Sequence, residues 1–295
     1  MRPFLERLRE GDILIADGAM GTMLFEKGVK LGMCPESLNL SRPEILEEIA
    51  ALYFDAGAEI IQTNTFGGSA VKLADYGLDD KVEDINSVAV VHIRKVVGDG
   101  AYISGSCGPS GKILQPLGDA DPDQLSESFR KQVKALIEAG VDLLCIETMT
   151  DLQEAVLAVE AARTVNAKIP IMATMTFEPT PTGFFTMMGI SVPEAAEGLS
   201  AAGANVLGSN CGNGIENMIK IAQEFKSVTS LPLLIQANAG IPVSKEGKSV
   251  YPETPEFFAE KVPALLDAGV SIIGGCCGTT PEHIRSIRKA VNAYK

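Results

Sequence analysis

Three cysteines stand where chemistry is more plausible than packing. Two are adjacent in Gly274-Gly275-Cys276-Cys277-Gly278-Thr279-Thr280-Pro281, and the third lies in Ser209-Asn210-Cys211-Gly212. Each motif follows a short apolar run and precedes a helical pattern. Vicinal thiols among glycines at a strand-to-helix junction suit a metal site, since zinc favours thiolates in tetrahedral geometry. Three protein ligands leave the fourth position open, the pattern of a catalytic rather than a structural zinc. The expectation is therefore that Cys211, Cys276 and Cys277 bind one zinc ion. Two blander readings compete: three unrelated buried thiols, or a strained vicinal disulfide between Cys276 and Cys277.

A three-thiolate zinc is electron-rich and a poor generator of hydroxide, but it can bind a substrate thiol and keep it ionised. A free thiol with a pKa of about 8.5 is only a few per cent thiolate at pH 7. Full ionisation gains about thirtyfold, or about 2 kcal/mol, so alignment of the thiolate with its reaction partner must supply much of the remaining acceleration.

Other candidate groups surround this centre. In Asp17-Gly18-Ala19-Met20-Gly21-Thr22 the glycines let backbone amides approach an anion such as a carboxylate, and Asp17 can accept from an ammonium group. Glu147 ends the run Cys145-Ile146-Glu147, and a carboxylate there faces a cavity mouth more readily than a core. Asn64, Asn210 and Asn238 also follow apolar runs and add polar groups to the same rim. Each of these residues could instead cap a helix or hold a loop. Cys145 reads as a small core residue, and neither His92 nor His283 is expected to bind metal.

The elements that position these residues recur along the chain. Eight apolar runs read as strands: 13–16, 59–63, 102–106, 142–147, 171–176, 205–209, 233–237 and 271–275. Most lead into a turn and then a helical pattern, which implies parallel pairing. Eight such units predict a (β/α)8 TIM barrel forming a single domain over 1–295, with the site at the C-terminal ends of the strands. An internal repeat supports this. Asp55-Ala56-Gly57-Ala58, Glu138-Ala139-Gly140-Val141, Ala201-Ala202-Gly203-Ala204 and Asp267-Ala268-Gly269-Val270 each place a glycine to end a helix just before strands two, four, six and eight. Lys245-Glu246-Gly247-Lys248 is expected to be a turn in the loop after strand seven.

Composition bounds the partners. A net charge of −13 argues against nucleic acid, and no apolar run approaches the roughly 20 residues that span a bilayer. Charges interrupt the N-terminal residues where a signal peptide would be apolar. A cytoplasmic protein with reduced thiols is expected.

With these residues in hand, the chain resembles the homocysteine S-methyltransferase family, from Asp17-Gly18-Ala19-Met20-Gly21-Thr22 through Asn64-Thr65-Phe66 to Gly274-Gly275-Cys276-Cys277-Gly278. The resemblance implies a TIM barrel with zinc on Cys211, Cys276 and Cys277, and homocysteine as the substrate that becomes methionine. It implies that Asp17 and Glu147 hold the amino group, that amides between Gly18 and Gly21 hold the carboxylate, and that Asn238 lies beside the metal. The segments 108–118 and 38–43 are most similar to the homocysteine domain of cobalamin-dependent methionine synthase. Methylcobalamin is then the expected methyl donor. A corrinoid Asp-x-His-x-x-Gly motif is missing around His92, so the corrinoid is expected on a partner protein or on another module of a larger enzyme. S-methylmethionine, another sulfonium or ammonium donor, a different thiol acceptor, and a non-catalytic zinc scaffold are the alternatives. The absence of tryptophan disfavours a betaine cage.

Overall fold

A computed structural model of the chain describes residues 1–30, 32–245 and 248–294. Eight strands form its centre: β1 (Leu14–Ile15), β2 (Ile60–Gln62), β3 (Tyr102–Cys107), β4 (Leu143–Met149), β5 (Ile171–Met175), β6 (Val206–Asn210), β7 (Leu233–Ala237) and β8 (Val270–Gly275). All neighbours pair parallel, in chain order from β2 to β8, with β8 then pairing β1. A parallel bridge between Ala16 and Ile60 joins β1 to β2, through Glu59 N to Ile15 O at 2.7 Å and Asp17 N to Ile60 O at 3.0 Å. This closes the ring, and the fold is the predicted TIM barrel.

The strands fall within a residue or two of the predicted runs because these runs are apolar on both faces, as a strand needs when helices cover one side and a barrel core fills the other. Several of the helices between them start at side-chain caps: Asp121 and Asp151 each accept two backbone amides, and Ser191 forms a full capping box with Glu194. Gly57, Gly140, Gly203 and Gly269 have φ of +100°, +95°, +103° and +80°. The repeated glycine is thus the left-handed stop that reverses the chain into each even-numbered strand.

Alternation along the strands sets two layers of packing. Leu14, Ile60, Tyr102, Leu143, Met172, Val206, Leu234 and Ile272 point into the barrel and share one buried cluster with Cys145. Their neighbours, including Ile15, Ile61, Ile103 and Leu144, pack outward against the helices. Helix Phe4–Arg9 closes the N-terminal end, with Phe4 and Leu8 joining the inner cluster and Phe4 set edge-on to Tyr102 at 5.5 Å.

Two hairpins interrupt the simple alternation. Glu178–Thr180 pairs with Gly183–Phe185 after β5, and Val243–Lys245 pairs with Lys248–Val250 after β7. The first was not anticipated by the strand pattern. Of the turn expected in the second, Glu246 and Gly247 lie outside the described residues.

Candidate metal and substrate site

Moving up the inner face, apolar residues give way to polar ones. The inward positions above the lower layer include Gln62, Ser104, Thr174 and Gln236, and the next include Asn64, Ser106, Glu147, Asn210, Asn238 and Cys276. Strand period alone carries Cys276, just past β8, and the end of β6 to the same open rim.

Cys211, Cys276 and Cys277 meet there. Their sulfurs all lie within 4.8 Å of one another, with Cys211 Sγ 3.9 Å from Cys277 Sγ. Tetrahedral zinc with Zn–S bonds of about 2.3 Å separates its sulfurs by about 3.8 Å, so the donor set and its spacing fit that ion. All six cysteines are free thiols, and no vicinal disulfide forms. Cys211 adopts a left-handed backbone with φ of +61°, as does Thr148 at +60°. Non-glycine residues in this region are strained, and such strain persists where surrounding bonds hold it. Cys211 N donates to Gln236 O at 3.2 Å, and Thr148 N donates to Asn210 Oδ1 at 2.8 Å.

On the other rim position Cys276 N donates to Ala237 O, and Ala239 N donates to Cys277 O. Thr279 ties the motif down: its hydroxyl donates to Cys276 O at 2.7 Å and accepts from Ala19 N at 3.1 Å. Gly275 is required here, because a Cβ at that position would lie 2.3 Å from Thr279 Oγ1. Among themselves the three thiols share charge unevenly. S–H groups of Cys276 and Cys277 draw Cys211 well below the usual thiol range, and those two are pushed up in return. A divalent cation removes this conflict by favouring the thiolate of all three.

Asp17 and Glu147 line the same cavity, which has a volume of about 280 Å³. Asp17 Oδ2 accepts from Gln62 N at 2.8 Å, whereas Oδ1 is buried with no partner. Glu147 accepts from Ser106 Oγ at 2.5 Å and from Asn210 Nδ2 at 3.2 Å. No cation pairs with either carboxylate among the described residues, and burial pushes Asp17 up to about 8 and Glu147 up to about 7. A ligand ammonium is the group that would restore both to ordinary values.

The remaining predicted residues take different positions. Gly18, Ala19 and Gly21 line the cavity, but the Ala19 amide is already given to Thr279, which leaves its neighbours' amides to face an anion. Asn64 lines the cavity with its Nδ2 donated to Pro35 O at 2.8 Å. Asn210 is a hub: it donates to Glu147 and Thr148 Oγ1 and accepts from Thr148 N and Thr174 Oγ1. Asn238 is buried outside the cavity lining, with its N donating to Asn213 O at 2.9 Å and its Oδ1 without a partner among the described residues. Ser106, Gln62, Gln236, Glu36 and Phe66 also line the cavity and were not singled out from sequence. Ser106 was recoverable by counting two residues up from inward-facing Ser104, while Glu36 comes from the long loop after β1 and carries no such signal.

The comparisons with known proteins agree on a family. A sequence profile of homocysteine S-methyltransferase matches residues 14–291. Methionine synthases of Mycobacterium leprae and Mycobacterium tuberculosis are each 32% identical over 296 and 300 residues, covering 95% and 96% of this chain but 24% and 25% of those proteins. The chain thus spans about a quarter of the length of these relatives. The metallated form of the Escherichia coli homocysteine methyltransferase MmuM superposes with a TM-score of 0.80 at 25% identity, covering 98% of this chain and 99% of that one. Its oxidised form gives the same TM-score at 26% identity. The fold, the three converging sulfurs and the profile match together establish that this chain belongs to the homocysteine S-methyltransferase family.

Proposed function

We propose that the protein is a zinc-dependent methyltransferase that moves a methyl group from methylcobalamin, carried by a corrinoid protein or module, to the thiol of homocysteine, giving methionine. The observation that carries this reading is the placement of a three-thiol cluster and two buried, cation-free carboxylates on one cavity. A small amino acid with a terminal thiol satisfies both at once. Zinc bound by Cys211, Cys276 and Cys277 would supply the positive charge that keeps a substrate thiol ionised near neutral pH.

The side chains do the rest. Asp17 and Glu147 take the substrate ammonium, and Asn210 and Ser106 hold Glu147 in place. Backbone amides of the turn between Gly18 and Gly21 take the carboxylate. Met20, Leu24 and Phe66 supply apolar wall to the cavity. Asn238 stands beside the metal, as the family resemblance implies. The reaction belongs in the cytoplasm, where the six thiols stay reduced.

Two features support this donor. Among the described residues lining the cavity Phe66 is the one aromatic ring, whereas a quaternary ammonium or sulfonium cage uses several. The similarity to methionine synthases, of which the chain spans a quarter, suits a reaction that also needs a corrinoid component. A second reading keeps homocysteine as the acceptor and takes the methyl group from S-methylmethionine instead. Zinc-loaded protein given homocysteine with either donor separates the two. Methionine formed from methylcobalamin is expected; turnover with S-methylmethionine alone rejects the corrinoid reading, and turnover with neither rejects both.

A further inference from the structure

Gln236 stands on β7, one inward-facing step above the core residue Leu234. It is 3% exposed and lines the cavity, yet its Oε1 has no hydrogen-bond partner among the described residues. A polar atom buried without a partner is costly unless a ligand meets it. The strands on either side make room for this side chain. Gln236 lies between Asn210 on β6 and Gly274 on β8, and a Cβ at 274 would come within 3.2 Å of Gln236 Cγ and 2.9 Å of Asp17 O. The Gln236 stem and the Asp17 carbonyl thus both border Gly274, and each of these two cavity-lining side chains carries an oxygen without a partner among the described residues. Glu147 is held toward the same cavity by Asn210, the β6 residue paired with Gln236.

A primary ammonium carries three N–H donors, and two carboxylates account for two. A third carboxylate would add like-charge repulsion to a pair that burial already strains. A neutral carboxamide oxygen adds an acceptor without that cost, and the broad two-fold torsion at the end of a glutamine lets the oxygen turn to the ligand. On the strength of the function proposed above, we propose that Gln236 Oε1 accepts the third hydrogen of the substrate α-ammonium. The site thereby selects thiols that bear a free primary amine.

The test compares calorimetric binding of homocysteine and of its desamino analogue, 4-mercaptobutanoate, to the zinc-loaded protein. Gln236→Met keeps the size and removes the acceptor. It should weaken homocysteine binding about tenfold or more while leaving 4-mercaptobutanoate within about twofold. Gln236→Glu restores an acceptor but adds a third like charge, and should recover only part of the homocysteine affinity. Equal loss on both ligands, or no loss on homocysteine, overturns the assignment and marks Gln236 as a packing residue. A wild-type protein that does not prefer homocysteine over 4-mercaptobutanoate instead rejects the amino-acid reading of the cavity, and the role of Gln236 with it. A wild-type complex reads the same point without substitution: Gln236 Oε1 belongs within about 3.2 Å of the amino nitrogen, and a contact made only by Asp17 and Glu147 overturns the proposal.

Discussion

The two ends of the barrel interior use the same strands and the same side-chain direction for opposite purposes. At the lower end Leu14, Ile60, Tyr102, Leu143, Met172, Val206, Leu234 and Ile272 form a dry plug, sealed by Phe4 and Leu8. Two to four residues further along, the inward positions hold Gln62, Ser106, Glu147, Asn210, Gln236 and Cys276. Several polar atoms in this upper half, including Asp17 Oδ1, Gln62 Nε2 and Gln236 Oε1, lack protein partners. The lower end contributes burial and little else. The upper end holds strained backbone at Thr148 and Cys211 and two carboxylates kept from water. Stability comes from one end and is spent at the other.

Substitutions at each end should separate these roles. The largest effect is expected at the sulfurs: Cys211→Ser should lower bound zinc to a small fraction of one equivalent and cut methyl transfer by about a thousandfold or more, with a folded barrel retained by circular dichroism. A Cys211→Ser protein that holds a full equivalent of zinc would remove Cys211 from the ligand set.

At the lower end, Leu234→Ala should destabilise the fold by about 2–5 kcal/mol in chemical denaturation. Binding of zinc and homocysteine to the surviving folded fraction should be unchanged, and a matching loss of affinity would mean that the two ends are coupled. Glu147→Gln reverses this pattern. It should weaken homocysteine binding by about tenfold to a hundredfold, yet leave the fold as stable or more so, because a carboxylate buried without a cation is replaced by a neutral amide.

The smallest effect is the pH response of the free protein. Burial raises Asp17 to about 8 and Glu147 to about 7, whereas both titrate near 4 in an unfolded chain. The folded state therefore keeps protons that the unfolded state has released. The stability these groups contribute is full below about pH 4 and is lost as pH rises to about 8. Between pH 5 and 8 stability should fall, and the decline should flatten in an Asp17→Asn, Glu147→Gln double variant. Ammonium binding favours the ionised pair, so homocysteine affinity should rise over the same range.

Much of the architecture was readable in one dimension because its causes are local. Apolar runs of strand length, capping residues such as Asp121 and Ser191, and the recurring glycine before each even-numbered strand act over a few residues. Cys276 and Cys277 were conspicuous because vicinal thiols between glycines have no packing rationale. The hairpin Glu178–Phe185 escaped, since its strands are three residues each and its first strand is exposed, leaving no burial pattern to read.

What the amino-acid order determined unaided was the eight barrel strands with the helices between them, the barrel they close into, and the residue types suited to a metal and an amino acid. Only the tertiary structure decided which of these groups touch. Ser106 reaches Glu147 across 41 residues, Asn210 reaches Glu147 across 63, and Thr279 takes the Ala19 amide across 260. It also revealed that Gln236 ends inside the cavity with an unmet oxygen. Strand period sets the face a side chain occupies, but ring closure and the stagger between neighbouring strands set its height, and hydrogen bonds between groups so far apart in the chain depend on both.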